Sequence, residues 1–138
     1  MIRTVSSLPE LDTLARDWAE QVRRKRVVLL NAPMGSGKTT WVSALMRALD
    51  ATDEASSPTY SIVNEYELKD GQRVFHFDLY RLKDQQEVMQ LGFWDYIDSG
   101  SICIIEWPDL IADILDMPHA EIRIRTEGEI RHFEWLEK

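Results

Sequence analysis

The residues from Ala32 to Thr39, APMGSGKT, put two glycines, a lysine and a threonine directly behind the apolar run VVLLNA. Glycine at positions 35 and 37 lets the main chain adopt positive φ and approach a ligand closely, so that the N–H groups from Gly35 to Thr39 can converge on an anion. Lys38 would bridge terminal phosphate oxygens as a point charge, and the Thr39 hydroxyl would ligate Mg²⁺. A helix opening at this point adds its positive dipole end. Ser36 and Thr40 complete the set of residues expected to line a nucleotide. The stretch matches the P-loop pattern except at Ala32, where the first glycine usually stands. Pro33 biases Ala32 toward extended dihedrals, which alanine tolerates, so altered affinity is the most that is expected.

A Mg²⁺ ion held by a P-loop threonine commonly has a second, acidic anchor at the end of a neighbouring strand. VFHFD ends in Asp78 and ICIIE ends in Glu106, and the pattern does not rank them. One would orient the metal and the other the attacking water. His76, His119 and His132 share no metal-ligand spacing, so all three read as structural or solvated. Cys103, the single cysteine, lies within ICII and reads as a small buried hydrophobe.

These groups need a scaffold, and the flanking sequence supplies one. Ser7 to Val22 opens with SLPE, a capping box between Ser7 and Glu10 with Pro9 in the first turn, and its leucines recur at helical spacing. VVLLN reads as a buried parallel strand and GKTTWVSALMRALD as a helix. Ala51 to Thr59 is small and polar without periodicity and reads as a moving loop. YSIVNEYEL and RVFHFDLYRL flank KDGQ, whose Asp-Gly signals a two-residue hairpin. DQQEVMQLGFWDYI reads as short helices with a stop at Gly92, SICIIEW as a buried strand, and the segment from Pro108 to Leu115 as a short helix. AEIRIRT and IRHFEWLE around EGE alternate as a second hairpin with one exposed face. The expected fold class is an α/β, P-loop NTPase-like three-layer sandwich, its mixed sheet parallel at the centre with antiparallel hairpins toward one side.

Composition sets the outer bounds. At 138 residues, with 44% hydrophobic and 29% charged residues, one domain spanning 1–138 and one core are expected. A net charge of −8 argues against a protein that holds nucleic acid by phosphate neutralisation alone, so any RNA role would need a partner. The basic run from Arg23 to Arg26 falls at a helix end, where cations complement the dipole. No signal peptide or membrane-length apolar run is visible, which points to the cytoplasm and away from membranes.

GSGKTT, SSPTYSIVNEYE, FHFDLYRL, EVMQLGFWDY and CIIEWPD, in this order and spacing, closely resemble the bacterial TsaE (YjeE) family over about Val27 to Asp109. The resemblance implies a small Mg²⁺-dependent ATPase of tRNA threonylcarbamoyladenosine synthesis. It would dock on the TsaB–TsaD heterodimer and meet tRNA only through those partners. By the same resemblance Lys38 and Thr39 match the phosphate and Mg²⁺ residues, Glu106 the Mg²⁺-associated acid, Asp78 an aspartate tied to activity, and Trp107 a required aromatic. Thr59, in SPTYS, would swing toward the γ-phosphate as a switch residue does. The departure lies at Ala32 to Met34, where the family typically shows glycine, an acidic residue and leucine.

Two other classes share a P-loop. A small-molecule kinase needs an acceptor pocket and an arginine-bearing lid, for which Arg81 alone is thin support. A nucleotide-sensing module without turnover is the alternative the sequence leaves open. Glu87 is the member of EVMQLGF singled out for partner or nucleotide contact.

Overall fold

In the computed structural model, residues 1–52 and 62–138 are described. Seven strands form one sheet: β1 (Ile2–Val5), β2 (Val27–Asn31), β3 (Val63–Glu67), β4 (Arg73–Asp78), β5 (Ile102–Glu106), β6 (Ala120–Glu127) and β7 (Ile130–Glu137). Their order is β1-β7-β6-β2-β5-β4-β3. The centre is parallel, β6 and β5 flanking β2 and β4 continuing beyond β5. Antiparallel pairs close both edges, not one as expected: β4 with β3 at one, and β6 with β7 and β7 with β1 at the other. The additional strand, β1, has no local signal beyond the four residues IRTV, and its pairing with β7 joins the two ends of the chain.

Strand alternation sorts the apolar side chains onto two faces, so the expected single core is two clusters. Val28 and Leu30 of β2, with Ile102 and Ile104 of β5, pack under α1 (Leu8–Lys25) and α2 (Lys38–Ala48). Val27, Leu29, Cys103 and Ile105 face α3 (Gln85–Gln90), α4 (Phe93–Asp98) and the segment after β5. This is the three-layer sandwich. β2 and β5 are buried on both faces, so what alternates along them is the cluster each side chain joins, and a one-residue register slip would exchange the two sets.

Local chemistry explains most boundaries. The Ser7 hydroxyl accepts from the Glu10 N–H at 3.3 Å, but the Glu10 carboxylate reaches the Ser6 N–H at 2.9 Å, one residue earlier than in the expected box. α1 ends in Arg23, Arg24 and Lys25, cations that suit the negative end of its dipole. The turn between β3 and β4 is longer than the two-residue form: Leu68 donates to the Gln72 carbonyl, and Gly71, at φ +91, closes a three-residue loop. Gly92, at φ +77, ends α3 and starts α4. Pro108 to Leu115 makes two single 3₁₀ turns, not a helix. Among the described residues no helix is long and apolar enough to cross a membrane.

An aromatic group ties α1, α2 and the terminal hairpin together. Trp41 of α2 meets Phe133 of β7 at 5.0 Å between ring centroids, and Trp18 of α1 meets Trp41 at 6.0 Å and Trp135 at 5.5 Å. Such pairs each add about 0.5–1.5 kcal/mol beyond area burial. They hold the helix that follows the glycine-rich loop against a strand from the far end of the chain.

Candidate functional site

β2 runs parallel to β5 and β6 and delivers the chain at Asn31 to the carboxyl edge of the sheet, where α/β folds bind ligands. Ala32 is buried, and the loop then turns at Gly35, φ +78, and Gly37, φ +90. Neither dihedral suits a residue with a side chain. Gly37 is the N-cap of α2 and offers no side-chain acceptor to the helix's first N–H groups. Ser36 is only 1% exposed, and among the described residues its hydroxyl has no hydrogen-bond partner. The Ser36 N–H is already taken, donating to the Pro33 carbonyl at 3.2 Å, so the N–H groups left for an acceptor are those at the two glycines and in the first turn of α2.

Lys38 lies against this loop. Its Nζ donates to the Ala32 carbonyl at 3.3 Å and sits 3.7 Å from the centroid of the Trp107 ring. Burial holds the Lys38 ammonium below its ordinary 10.5, while the negative charges of Glu106 and Asp78 work in the opposite direction. A partly dehydrated cation facing two carboxylates is poised to take up phosphate oxygens. Thr39 and Thr40 open α2 with exposed side chains.

The acids come from adjacent strands. Asp78 closes β4 and Glu106 closes β5, directly opposite one another in the parallel register. Their environments differ. Glu106 is 6% exposed and is bonded through Oε2 to Nε2 of His76, a residue of β4 that is itself buried. Asp78 accepts from the N–H of Tyr80 at 3.1 Å and is half-buried. Of the two roles expected for His76, structural or solvated, the structure shows the structural one: the ring is buried and bonded to the Glu106 carboxylate. Nδ1 of the same ring is buried without a partner among the described residues. His119 and His132 stay outside the site, bonded to the Met117 carbonyl and to Glu127.

Trp107 follows Glu106 immediately and takes φ +55, ψ +60, a left-handed conformation that costs a non-glycine residue about 1–3 kcal/mol. The conformation turns the indole back over Lys38, with Tyr80 against its other neighbourhood at 4.9 Å between centroids. The sequence carried no local signal for this strain. Glu87 is not brought to the site: it accepts from the Lys83 N–H at 3.3 Å and belongs to the start of α3, capped by Asp84. Thr59 lies outside the described residues.

The residues present fit a P-loop Mg²⁺ site, in which a threonine, one or two carboxylates, phosphate oxygens and water share the ion. Among the described residues no cluster of three metal-ligating side chains exists. Thr39, Glu106 and Asp78 are the residues that could hold such an ion together with a bound polyphosphate.

The chain is similar over most of its length to known proteins. Residues 5–133 match the family model described as "Threonylcarbamoyl adenosine biosynthesis protein TsaE". A protein of Haemophilus influenzae named tRNA threonylcarbamoyladenosine biosynthesis protein TsaE is 39% identical over 73% of this chain, and the match spans 62% of that protein's length. A protein of Bacillus subtilis with the same name is 32% identical over 92% of this chain and 78% of its own. The crystal structure of YdiB from Bacillus subtilis superposes with a TM-score of 0.70 at 22% identity, covering 99% of this chain and 84% of that one, and shows the same fold. With nearly its whole length matched by the family model, the chain belongs to the TsaE family.

Proposed function

We propose that this protein binds ATP with Mg²⁺ on the loop Ala32 to Thr39 and hydrolyses it as a component of the machinery that makes threonylcarbamoyladenosine in tRNA. The observation that carries the reading is the convergence of Lys38, the bared loop at Gly35 and Gly37, and the paired strand ends Asp78 and Glu106 at one edge of the sheet. The names of the related proteins place them in that pathway.

The division of labour follows from position. Amides of the loop and Lys38 bind the phosphates and fix their orientation. Lys38 must first leave the Ala32 carbonyl and the Trp107 ring, both weaker partners than a phosphate anion. Thr39 and Glu106 would hold Mg²⁺, which neutralises charge on the terminal phosphates when bound. Asp78, the more exposed acid, has the room to orient an attacking water. Trp107 lies over Lys38 with Tyr80 against it, so the two rings flank the cation that would meet the phosphates.

Partner dependence follows from charge. A net charge of −8 argues against holding tRNA by phosphate neutralisation alone, so the modified nucleotide would be reached through partners, for which the TsaB–TsaD pair is the proposal. Phosphate release measured with and without that pair tests the reading. Mg²⁺-dependent release stimulated by the pair is expected. Binding of ATP with no release in either condition would favour a sensor, and phosphate appearing on a small acceptor would favour a kinase.

A further inference from the structure

Gly37 is overhung by a cation from the far end of the chain. A Cβ at Gly37 would lie 3.1 Å from Cζ of Arg131 and 3.3 Å from its Nε and Nη2. The position follows from β7. Phe133 packs on Trp41 of α2, and side chains two residues apart on a strand share a face. Arg131 therefore comes out one step nearer the start of the strand, at the N-terminus of the same helix.

That is a poor place for an unbalanced cation. The end of α2 carries the positive pole of its dipole and uncapped N–H groups, and Lys38 adds a further positive charge. Several arginines of the chain, though not all, sit beside carboxylates, Arg3 with Asp17, Arg47 with Asp12, Arg73 with Glu65 and Arg123 with Glu121. Among the described residues no carboxylate pairs with Arg131, which is half-buried. The hydroxyl of Ser36, 1% exposed in the same loop and unpartnered among the described residues, is a second group waiting for a partner there. An arriving anion would give acceptors to the N–H groups of α2 and to the Arg131 guanidinium.

Strand order tells which part of the anion. Asp78 and Glu106 stand on β4 and β5, on one side of β2, whereas Arg131 stands on β7, on the other. A nucleotide whose terminal phosphates and Mg²⁺ face the acids must extend its α-phosphate and nucleoside toward β6 and β7. We propose that Arg131 contacts the nucleotide at its α-phosphate, setting affinity for ATP and ADP alike; this rests on the nucleotide-binding reading above. The planar guanidinium suits that task, since it can offer two parallel N–H donors to one phosphate.

The test is calorimetric titration of the full chain and of Arg131→Gln and Arg131→Lys with ADP and with pyrophosphate, each with Mg²⁺. Arg131→Gln is expected to weaken ADP binding roughly tenfold or more, the loss typical of a charge-assisted hydrogen bond. Pyrophosphate, which has no α-phosphate or nucleoside to reach Arg131, should change less than threefold. Arg131→Lys keeps the charge but not the fork and should fall between; it decides the matter should the glutamine variant melt early. ADP affinity within twofold of the unaltered protein in both variants would overturn the proposal, as would equal losses for ADP and pyrophosphate. An unaltered chain that binds no ADP would overturn the nucleotide reading itself.

Discussion

His76 on β4 and Glu106 on β5 are joined, Nε2 to Oε2, in a buried pair at the edge of the glycine-rich loop. The bond fixes the carboxylate on the side where β2 releases the loop, so His76 acts as a positioning residue for Glu106. Carboxylates that hold metals are commonly fixed in this way, and losing the fixing group typically costs 10–100-fold in metal affinity or activity.

His76→Ala should therefore lower Mg²⁺-dependent phosphate release by about 10–100-fold and raise the Mg²⁺ concentration needed for half-maximal rate. ADP affinity without Mg²⁺ should stay within about threefold, because the loop and Lys38 are untouched. The buried carboxylate left without its donor should destabilise the fold by about 1–3 kcal/mol. His76→Gln, which restores a donor, should recover part of both losses. Steady-state rates across a Mg²⁺ series check this, and an unchanged Mg²⁺ requirement would remove His76 from the site.

Nucleotide binding must separate Lys38 from the indole of Trp107, now 3.7 Å apart. Removing a cation from a ring face alters its emission, so ADP should change the tryptophan fluorescence of the unaltered chain. Trp107→Phe should abolish most of that change while leaving the other four tryptophans in place, as the sequence holds five. A fluorescence response that survives the substitution would locate the motion elsewhere.

Gly37→Ala meets two obstacles, the backbone at φ +90 and the Arg131 guanidinium 3.1 Å from the new Cβ. The strain is about 1–3 kcal/mol, and any relief moves the amides that would wrap phosphate. ADP affinity should drop by at least roughly tenfold with a lowered Tm. Gly128→Ala, with no atom within 4 Å of its Cβ position, is the control: it shares the backbone cost and should spare ADP binding.

Burial pushes the Cys103 thiol from 9.0 up to about 12. An acid raised in the fold favours the folded state most when protonated, so this contribution is whole below pH 9.0 and is lost as pH rises toward 12. Within that window stability should fall by up to about 1.4 kcal/mol per pH unit, and Cys103→Ala should remove that part of the slope. Denaturant midpoints measured across the window check the sign. At neutral pH the thiol should react with a disulfide reagent only on unfolding.

Features set by neighbours in the chain were legible in the sequence. The strand, glycine loop and helix from Val27 to Ala48 carry their own apolar periods and turn residues, and so do both hairpins and the Gly92 break. Asp78 and Glu106 were both visible as strand-end acids. Their inequality was not, because it depends on His76, which lies 30 residues from Glu106 in sequence and meets it only through the register of β4 on β5. β1 escaped for the same reason: IRTV is too short to announce itself, and its partner strand is at the other end of the chain. Arg131 looked like one alternating charge in a hairpin until the packing of Phe133 on Trp41 set its direction.

The most direct test is a calorimetric titration of MgADP into the unaltered chain and into Lys38→Ala. Lys38 supplies the charge at the mouth of the loop, so saturable one-site binding by the unaltered chain and a loss of at least about a hundredfold in the variant are predicted, in line with a charge-assisted contact stripped from a partly buried phosphate site. Equal affinity in the two proteins would contradict the account, because the anion would then be held somewhere other than the loop from Ala32 to Thr39.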